Sequence, residues 1–539
     1  MHKAILYSLK YYEHQYSRLA LIFVLNLSKN IIGVLVPLFF ASVINHVITN
    51  EYHSSALLPM LLTNALVIIL SYISKILDIK TTREINLKVK QHVLNQLLVL
   101  PPYKLSRYKL GTLQVLLTSD TMVPAGIVTT LMSTLMSIIS LVGTAFVVFL
   151  LNWKLALVML FGYPFTLYIN AIYTRKLKVS AYELSVDTDS FVGCVRRIVS
   201  NLTDISVQDG KTRIEKLFTE YAYRNKCVAE RHIITACNNS ACISAIGYLN
   251  YCILTCCGIA LVIEGDIALG SLVAFNSYSK IFTSALDAIV QVKAHLQPSL
   301  VSVDRLTELE DMYRCFQAED DLRQEIESPA QSVELSSVSV SFPEHTVLTD
   351  WSFSFAKGIT GIRGRNGSGK TTIMNLLLRN IEPSCGSILF GNMEANTIKH
   401  SAFRKRISYV GASKVLYNLT LRENLTLFTD GDLIEDSKIS MVLEMVNLLN
   451  DIANLPKGLE TVINDHIQLS SGQIQKIQIA RALLKDSDVL LFDESFSNLD
   501  LDTRKKVLYY IKHEYADKVV VIISHNAEDY AICDTIVEI

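Results

Sequence analysis

Six apolar stretches, near residues 19–48, 56–77, 122–151, 155–173, 233–263 and 267–292, dominate the first half of the chain. In hydrocarbon no water is present to satisfy backbone N–H and C=O groups, so a crossing segment must bond to itself. About 20 mostly apolar residues make such a helix. The first stretch is too long for the apolar core of a signal peptide, although Lys3, Lys10 and Arg18 precede it. Lys29 is its only formal charge, and no small-residue cleavage site follows, so it reads as a retained span. Only "NWK" divides the third stretch from the fourth, which calls for a tight outer turn.

Loop charge sets the orientation. Lys80, Arg83, Lys88, Lys90, Lys104, Arg107 and Lys109 lie between the second and third spans. The opposite loops carry Glu51, Lys154, Glu264 and Asp266. The positive-inside bias therefore places both termini in the cytoplasm of a multi-pass cell-membrane protein. Residues 78–121 and 174–232 read as helical extensions of the spans into that compartment. With 50 basic against 51 acidic side chains, nothing advertises nucleic acid as a partner. The ten cysteines, six of them from Cys227 to Cys257, show no metal-ligand spacing and read as small apolar fillers.

After the sixth span the sequence turns polar and acidic and ends in Ser and Pro, which divides the chain into a transmembrane domain (1–313), a linker (314–332) and a soluble domain (333–539). Short strand-like runs alternate with helical patterns in the last of these, the signature of an α/β domain.

Within it, "GRNGSGKTT" follows the strand-like "ITGIR" and opens the helical "TIMNLLLRN", the context a P-loop requires. Gly364, Arg365, Asn366, Gly367, Ser368 and Gly369 form a loop whose amides close around phosphate oxygens, with Thr372 beside them. Lys370 reaches the β and γ phosphates, and Thr371 offers a hydroxyl to Mg²⁺. "DVLLFDES" is an apolar buried-strand run ending in Asp493 and Glu494; the first is placed to hold the Mg²⁺ shell, the second to orient or deprotonate a water.

Between these motifs stands "LSSGQIQKIQIARALL", and with it the chain resembles the ATP-binding cassette (ABC) transporters. The family signature is LSGGQ; Ser470, Gly472 and Gln473 match it and Ser471 replaces a glycine. "SNLD", ending at Asp500, and "VVVIISHN", with His525, follow in the family's order. The resemblance implies that Ser470, Ser471, Gly472, Gln473 and Asp500 contact nucleotide across a dimer, that His525 contacts the γ-phosphate, and that Phe342 stacks on adenine. Three departures stand out. Ala412 occupies the place of a glutamine that senses metal in the family, "TVINDHIQ" matches loosely, and the closing hairpin and helices are expected to be missing after Ile539.

The expected fold is thus a membrane α-helical domain of six transmembrane helices with long cytoplasmic extensions, fused to an α/β P-loop NTPase domain of ABC type. The resemblance implies an ATP hydrolase that drives export by alternating access, with ATP and Mg²⁺ as cofactors. Its partners would be the lipid bilayer, a peptide, drug-like or lipid-like substrate, and a second half-transporter, in a homodimer or a heterodimer. The alternatives are an importer of the same architecture, for example for metal chelates, and a nucleotide-gated regulatory membrane ATPase. The missing N-terminal peptidase domain argues against exporters that cleave leader peptides themselves. Inside the spans, Lys29, Lys280 and Asp287 either line a polar path for substrate or pair and snorkel.

Overall fold

The computed structural model describes residues 2–48, 57–326, 328–342, 345–365, 367–411, 415–429, 434–464, 467 and 469–539. It divides into two compact units, Met1–Val93 with Val115–Thr307, and Leu94–Gln114 with Glu308–Ile539.

The first unit is helical. Among the described residues, five helices are long and apolar enough to cross a membrane: Tyr16–Ile48, Leu57–Val99, Leu110–Leu151, Trp153–Ser200 and Lys211–Ile263. The sixth expected span falls in Leu269–Asp321, where Asn276, Lys280 and Asp287 make the sequence more polar than in the other five. This helix runs on to Asp321, so the chain leaving the membrane stays helical well past the last apolar residue.

The turn at "NWK" is built by Asn152, whose side chain accepts hydrogen bonds from the backbone N–H groups of Lys154 and Leu155 at 3.0 and 3.2 Å. This N-cap satisfies donors that the first helical turn leaves orphaned. The helix it starts stops at Phe161 and a new one begins at Tyr163, a break within the fourth expected span. Pro164, in the first turn of the new helix, has no N–H to continue the ladder. Asn250, itself buried, donates to the carbonyl of Met159 at 3.0 Å and satisfies the acceptor freed by the break. At the other end of the unit, Arg305 grips the buried Asp120 bidentately at 2.7 and 2.8 Å.

The second unit contains two sheets. β1 (Ser332–Phe342), β2 (His345–Ala356), β4 (Cys385–Phe390) and β5 (Met393–Glu394) form an antiparallel sheet in the order β2-β1-β4-β5. β3 (Gly358–Arg363), β6 (Ile407–Val410), β7 (Val489–Asp493), β8 (Val519–Ile523) and β9 (Thr535–Glu538) form a parallel sheet in the order β6-β7-β8-β3-β9. β8, "VVVII", is buried at every residue, as expected of a parallel strand covered on both faces. One apolar cluster centred on Leu490, Phe492, Val520 and Ile522 fills one face, and another with Val489, Leu491, Val521 and Ile523 fills the other.

Register decides where the loops meet. Ile523 of β8 pairs with Ile362 of β3 on one side and Asp493 of β7 on the other. The carboxyl ends of three adjacent strands therefore stop at one level, where an open α/β sheet places its ligands.

The end of the first excursion also belongs to this unit. Arg404 donates to the carbonyl of Leu98 at 3.1 Å, and Lys104 pairs with Glu319 at the same distance. His400, 4% exposed, packs edge-on against Phe316 and beside Tyr103. Arg379 lies within 3.2 Å of its Nε2, and its own N–H donates to Asp320 at 2.9 Å. Burial and the neighbouring Arg379 and Arg323 push the His400 imidazole down to about 3, so it is neutral near pH 7.

Candidate functional site

The loop after β3 is shaped by glycine. A side chain at Gly364 would come within 2.6 Å of Ser368 Oγ, and Gly367 and Gly369 hold φ of 82° and 103°, a region closed to most side chains. The helix Lys370–Leu377 begins directly after Gly369. Lys370 is 8% exposed, and its ammonium donates to the carbonyls of Gly364 and Arg365 at 2.7 and 3.1 Å. Among the described residues, Ser368 Oγ is buried without a hydrogen-bond partner. A held ammonium, an orphaned hydroxyl and a helix N-terminus together fit a chain of phosphate oxygens. Asn366 lies outside the described residues, as does Ala412.

At the end of β7 the backbone of Glu494 has φ of 52°, unusual for a residue with a side chain. Its N–H donates to the carbonyl of Ile523 at 2.9 Å, which holds the chain in that turn. The turn carries Glu494 Oε1 to 2.7 Å from Nε2 of His525. Asp493, one residue earlier, is held above the usual carboxylate range by burial and by the adjacent Glu494; the Tyr409 hydroxyl, Lys370 and His525 oppose that shift. Partial burial and Asp493 push the Tyr409 phenol up to about 12.

The Asp493 carboxyl and the hydroxyl of the exposed Thr371 are hard oxygen donors of the kind Mg²⁺ prefers. Among the described residues no group of three or more His, Cys, Asp or Glu side chains is placed to hold a metal. A cation here would complete its shell with phosphate and water oxygens, as Mg²⁺ commonly does in such sites.

The signature segment starts a helix. Ser470 is the N-cap of Ser471–Leu484, its hydroxyl accepting from the N–H of Gln473 at 3.2 Å while Gln473 Oε1 accepts from the N–H of Ser470 at 2.8 Å. This reciprocal capping box explains two of the signature identities by structure alone. A Cβ at Gly472 would lie 3.0 Å from the carbonyl of Asn498, whereas Ser471 is exposed and has room for its side chain. Asp500 caps the helix Leu501–Glu514 by accepting from the N–H of Thr503 at 2.9 Å. Among the described residues no hydrogen bond joins residues 470–473 to the P-loop. Phe342 ends β1, paired through its backbone with His345.

Four side chains that organise the site are not apparent from the motifs. Gln475, 3% exposed, accepts from the N–H of Asn498 at 3.0 Å and donates to the carbonyl of Glu494 at 3.4 Å, bracing the loop after β7. Ser495 Oγ donates to the carbonyl of Val410 at 2.6 Å and ties that loop to β6. The Tyr530 hydroxyl accepts from the N–H of Ser524 at 3.1 Å and lies 2.8 Å from the carbonyl of Ile362 and 2.6 Å from that of Ser524. Tyr409 is the fourth, on β6. Only Gln475 carried a sequence signal, as a polar residue on the buried face of the signature helix.

Comparison with known proteins follows the same division. Residues 19–286 match the family model of the ABC transporter transmembrane region, and residues 348–497 that of the ABC transporter. "ABC transporter B family member 1" of Dictyostelium discoideum is 24% identical over 435 residues, covering 80% of this chain and 47% of that protein. The "ATP-dependent lipid A-core flippase" of Bordetella avium is 26% identical over 472 residues, 84% of this chain and 77% of that protein. The chain thus spans about half the length of one curated relative and three quarters of the other. A solved structure of a bacterial Atm1-family ABC exporter with ATP bound shares the fold, with a TM-score of 0.78 at 19% identity, over 97% of this chain and 93% of that one. With both family regions matched in order on one polypeptide, the chain belongs to the ABC transporters.

Proposed function

We propose that the chain is one half of an ATP-driven membrane exporter that works as a dimer and hydrolyses ATP to turn a membrane cavity outward. The observation that carries this reading is the 2.7 Å contact of Glu494 with His525 at the strand level of a P-loop, in a chain whose other unit is apolar helix. Glu494 takes a proton from the attacking water, and His525 holds that carboxylate in place and faces the γ-phosphate. Lys370 leaves its loop carbonyls for the β and γ oxygens and offsets the charge that develops there. Thr371 and Asp493 would hold Mg²⁺, which when bound neutralises phosphate charge.

The signature residues Ser470, Ser471, Gly472 and Gln473, with Asp500, complete the site of a second subunit, a second copy of this chain in the simplest case. Phe342 stacks on the base. The cassette and both termini face the cytoplasm of the cell membrane, on the side given by the basic loops. The name of the lipid A-core flippase relative supports outward movement of a lipid-like molecule, and peptide and drug-like substrates fit the same architecture. No observation favours import or a gated regulatory role. Ala412 lacks the polar group its relatives use to couple hydrolysis to the membrane domain, so turnover is expected to be less tightly tied to substrate.

The test is ATP turnover by the purified full chain in vesicles, together with nucleotide-dependent crosslinking between copies. ATP should close the dimer and be hydrolysed. A protein that binds ATP yet neither hydrolyses it nor associates would overturn the reading.

A further inference from the structure

The first unit holds a half-open cavity of about 410 Å³ between the helices Tyr16–Ile48, Leu57–Val99, Val123–Leu151 and Leu269–Asp321. The size is that of a small-molecule site, but the lining is unlike a greasy void. Ser and Thr side chains contribute from three of the four helices, and Lys29, Lys75 and Asp78 bring charge.

These charges do not cancel. Lys75 and Asp78 pair with each other at 3.6 Å. Lys29 has neither an ion pair nor a hydrogen bond among the described residues. It lies about 15 Å along its helix from Leu19, at 1.5 Å per residue, beyond the reach of a four-carbon stem to the membrane surface. An unpaired ammonium at such depth is costly and marks a functional site by default.

The hydroxyls complete the picture. Ser133 and Ser137 donate to backbone carbonyls of their own helix at 2.9 and 3.0 Å. Ser74 and Thr81, on residues 4% and 3% exposed, make no hydrogen bond among the described residues. The cavity thus combines one uncompensated cation with uncommitted O–H donors, the complement of an anionic oxygen group.

We propose that this cavity binds the anionic oxygen group, phosphate or carboxylate, of the molecule the protein moves, with Lys29 as its counter-ion. The inference rests on the transport reading above and narrows its substrate to anionic amphiphiles. Charge-assisted hydrogen bonding of this kind sets the scale of discrimination at about tenfold.

Two matched pairs of probes test it on the full chain in detergent: phosphatidylglycerol against phosphatidylcholine with the same acyl chains, and an apolar peptide with a free C-terminal carboxylate against its amide. The readout is the thermal unfolding midpoint against probe concentration, without nucleotide. At least one anionic probe should bind about tenfold more tightly than its neutral partner. A preference in the lipid pair assigns the group to a lipid phosphate, and one in the peptide pair to a carboxylate. Lys29→Gln should abolish the preference, with Lys29→Met as second neutral variant should the first not fold. Lys29→Arg should keep it, as should Lys226→Gln, which alters an exposed cation outside the cavity. Equal binding within both pairs, or a preference that survives loss of Lys29, would overturn the proposal. Because no nucleotide is present, that failure is separate from failure of ATP-driven transport, which would appear as absent ATP turnover in the wild type.

Discussion

His525 Nε2 stands 2.7 Å from Glu494 Oε1, and the backbone that presents this carboxylate is bent into a left-handed turn. A carboxylate only accepts, so the imidazole donates through Nε2 and keeps Nδ1 for another partner. Glu494→Gln preserves the shape and removes the proton acceptor. The expected result is a fall in kcat of roughly 10²- to 10⁴-fold with ATP affinity retained. Steady-state turnover beside nucleotide binding checks it, and near-normal kcat would remove Glu494 from this role.

The Tyr409 hydroxyl opposes the upward shift of the Asp493 carboxyl, and Gly411 leaves the space its ring occupies: a Cβ at Gly411 would lie 2.3 Å from the phenol oxygen. Tyr409→Phe removes a donor that favours the charged carboxylate, so the Asp493 pKa rises further. The acid limb of the pH–rate profile should move to higher pH, and the Mg²⁺ concentration for half-maximal turnover should rise severalfold. Gly411→Ala should act in the same direction by displacing the phenol. An unmoved acid limb in both variants would exclude this link.

Gln475 reaches from the signature helix to the loop that carries Glu494. In Gln475→Ala the Asn498 N–H loses its acceptor, at a cost of about 0.5 to 1.5 kcal/mol. The loop then holds its turn less firmly. kcat should drop about tenfold with little change in KM. Gln475→Glu, which keeps the acceptor, should lose less. A change confined to KM would point to nucleotide binding instead.

His400 predicts a pH dependence of stability. Its native pKa lies below the unfolded value near 6.5, so between the two the unfolded chain binds the extra proton and acid favours unfolding. The contribution is intact above pH 6.5, declines as pH falls and levels off below about pH 3. From pH 7 to 5 the loss is about 2 kcal/mol. Calorimetry of His400→Gln at these two pH values should show a smaller fall in midpoint than the wild type. An equal fall would mean that other groups carry the acid sensitivity.

The apolar spans, the P-loop and the strand ending in Asp493 were legible in the sequence because each rests on a local rule. Length decides the first, glycine spacing the second and an unbroken apolar run the third. The capping box of Ser470 and Gln473 also follows a local rule, but its residues were read only through a family likeness. The break at Gly162 was not foreseen, since its acceptor is satisfied by Asn250, far along the chain. Tyr409, Ser495 and Tyr530 stayed hidden likewise. Their roles depend on β6, β7 and β8 standing side by side, a pairing no local pattern specifies.

The Tyr530 hydroxyl joins the last residues of β3 to the residue before His525 through three contacts on one oxygen. A knot of that kind is stiff: neither strand end can advance without carrying the other. On the proposed reading, a terminal phosphate would therefore act on His525 and on the P-loop stem as one jaw, and not as two separate displacements.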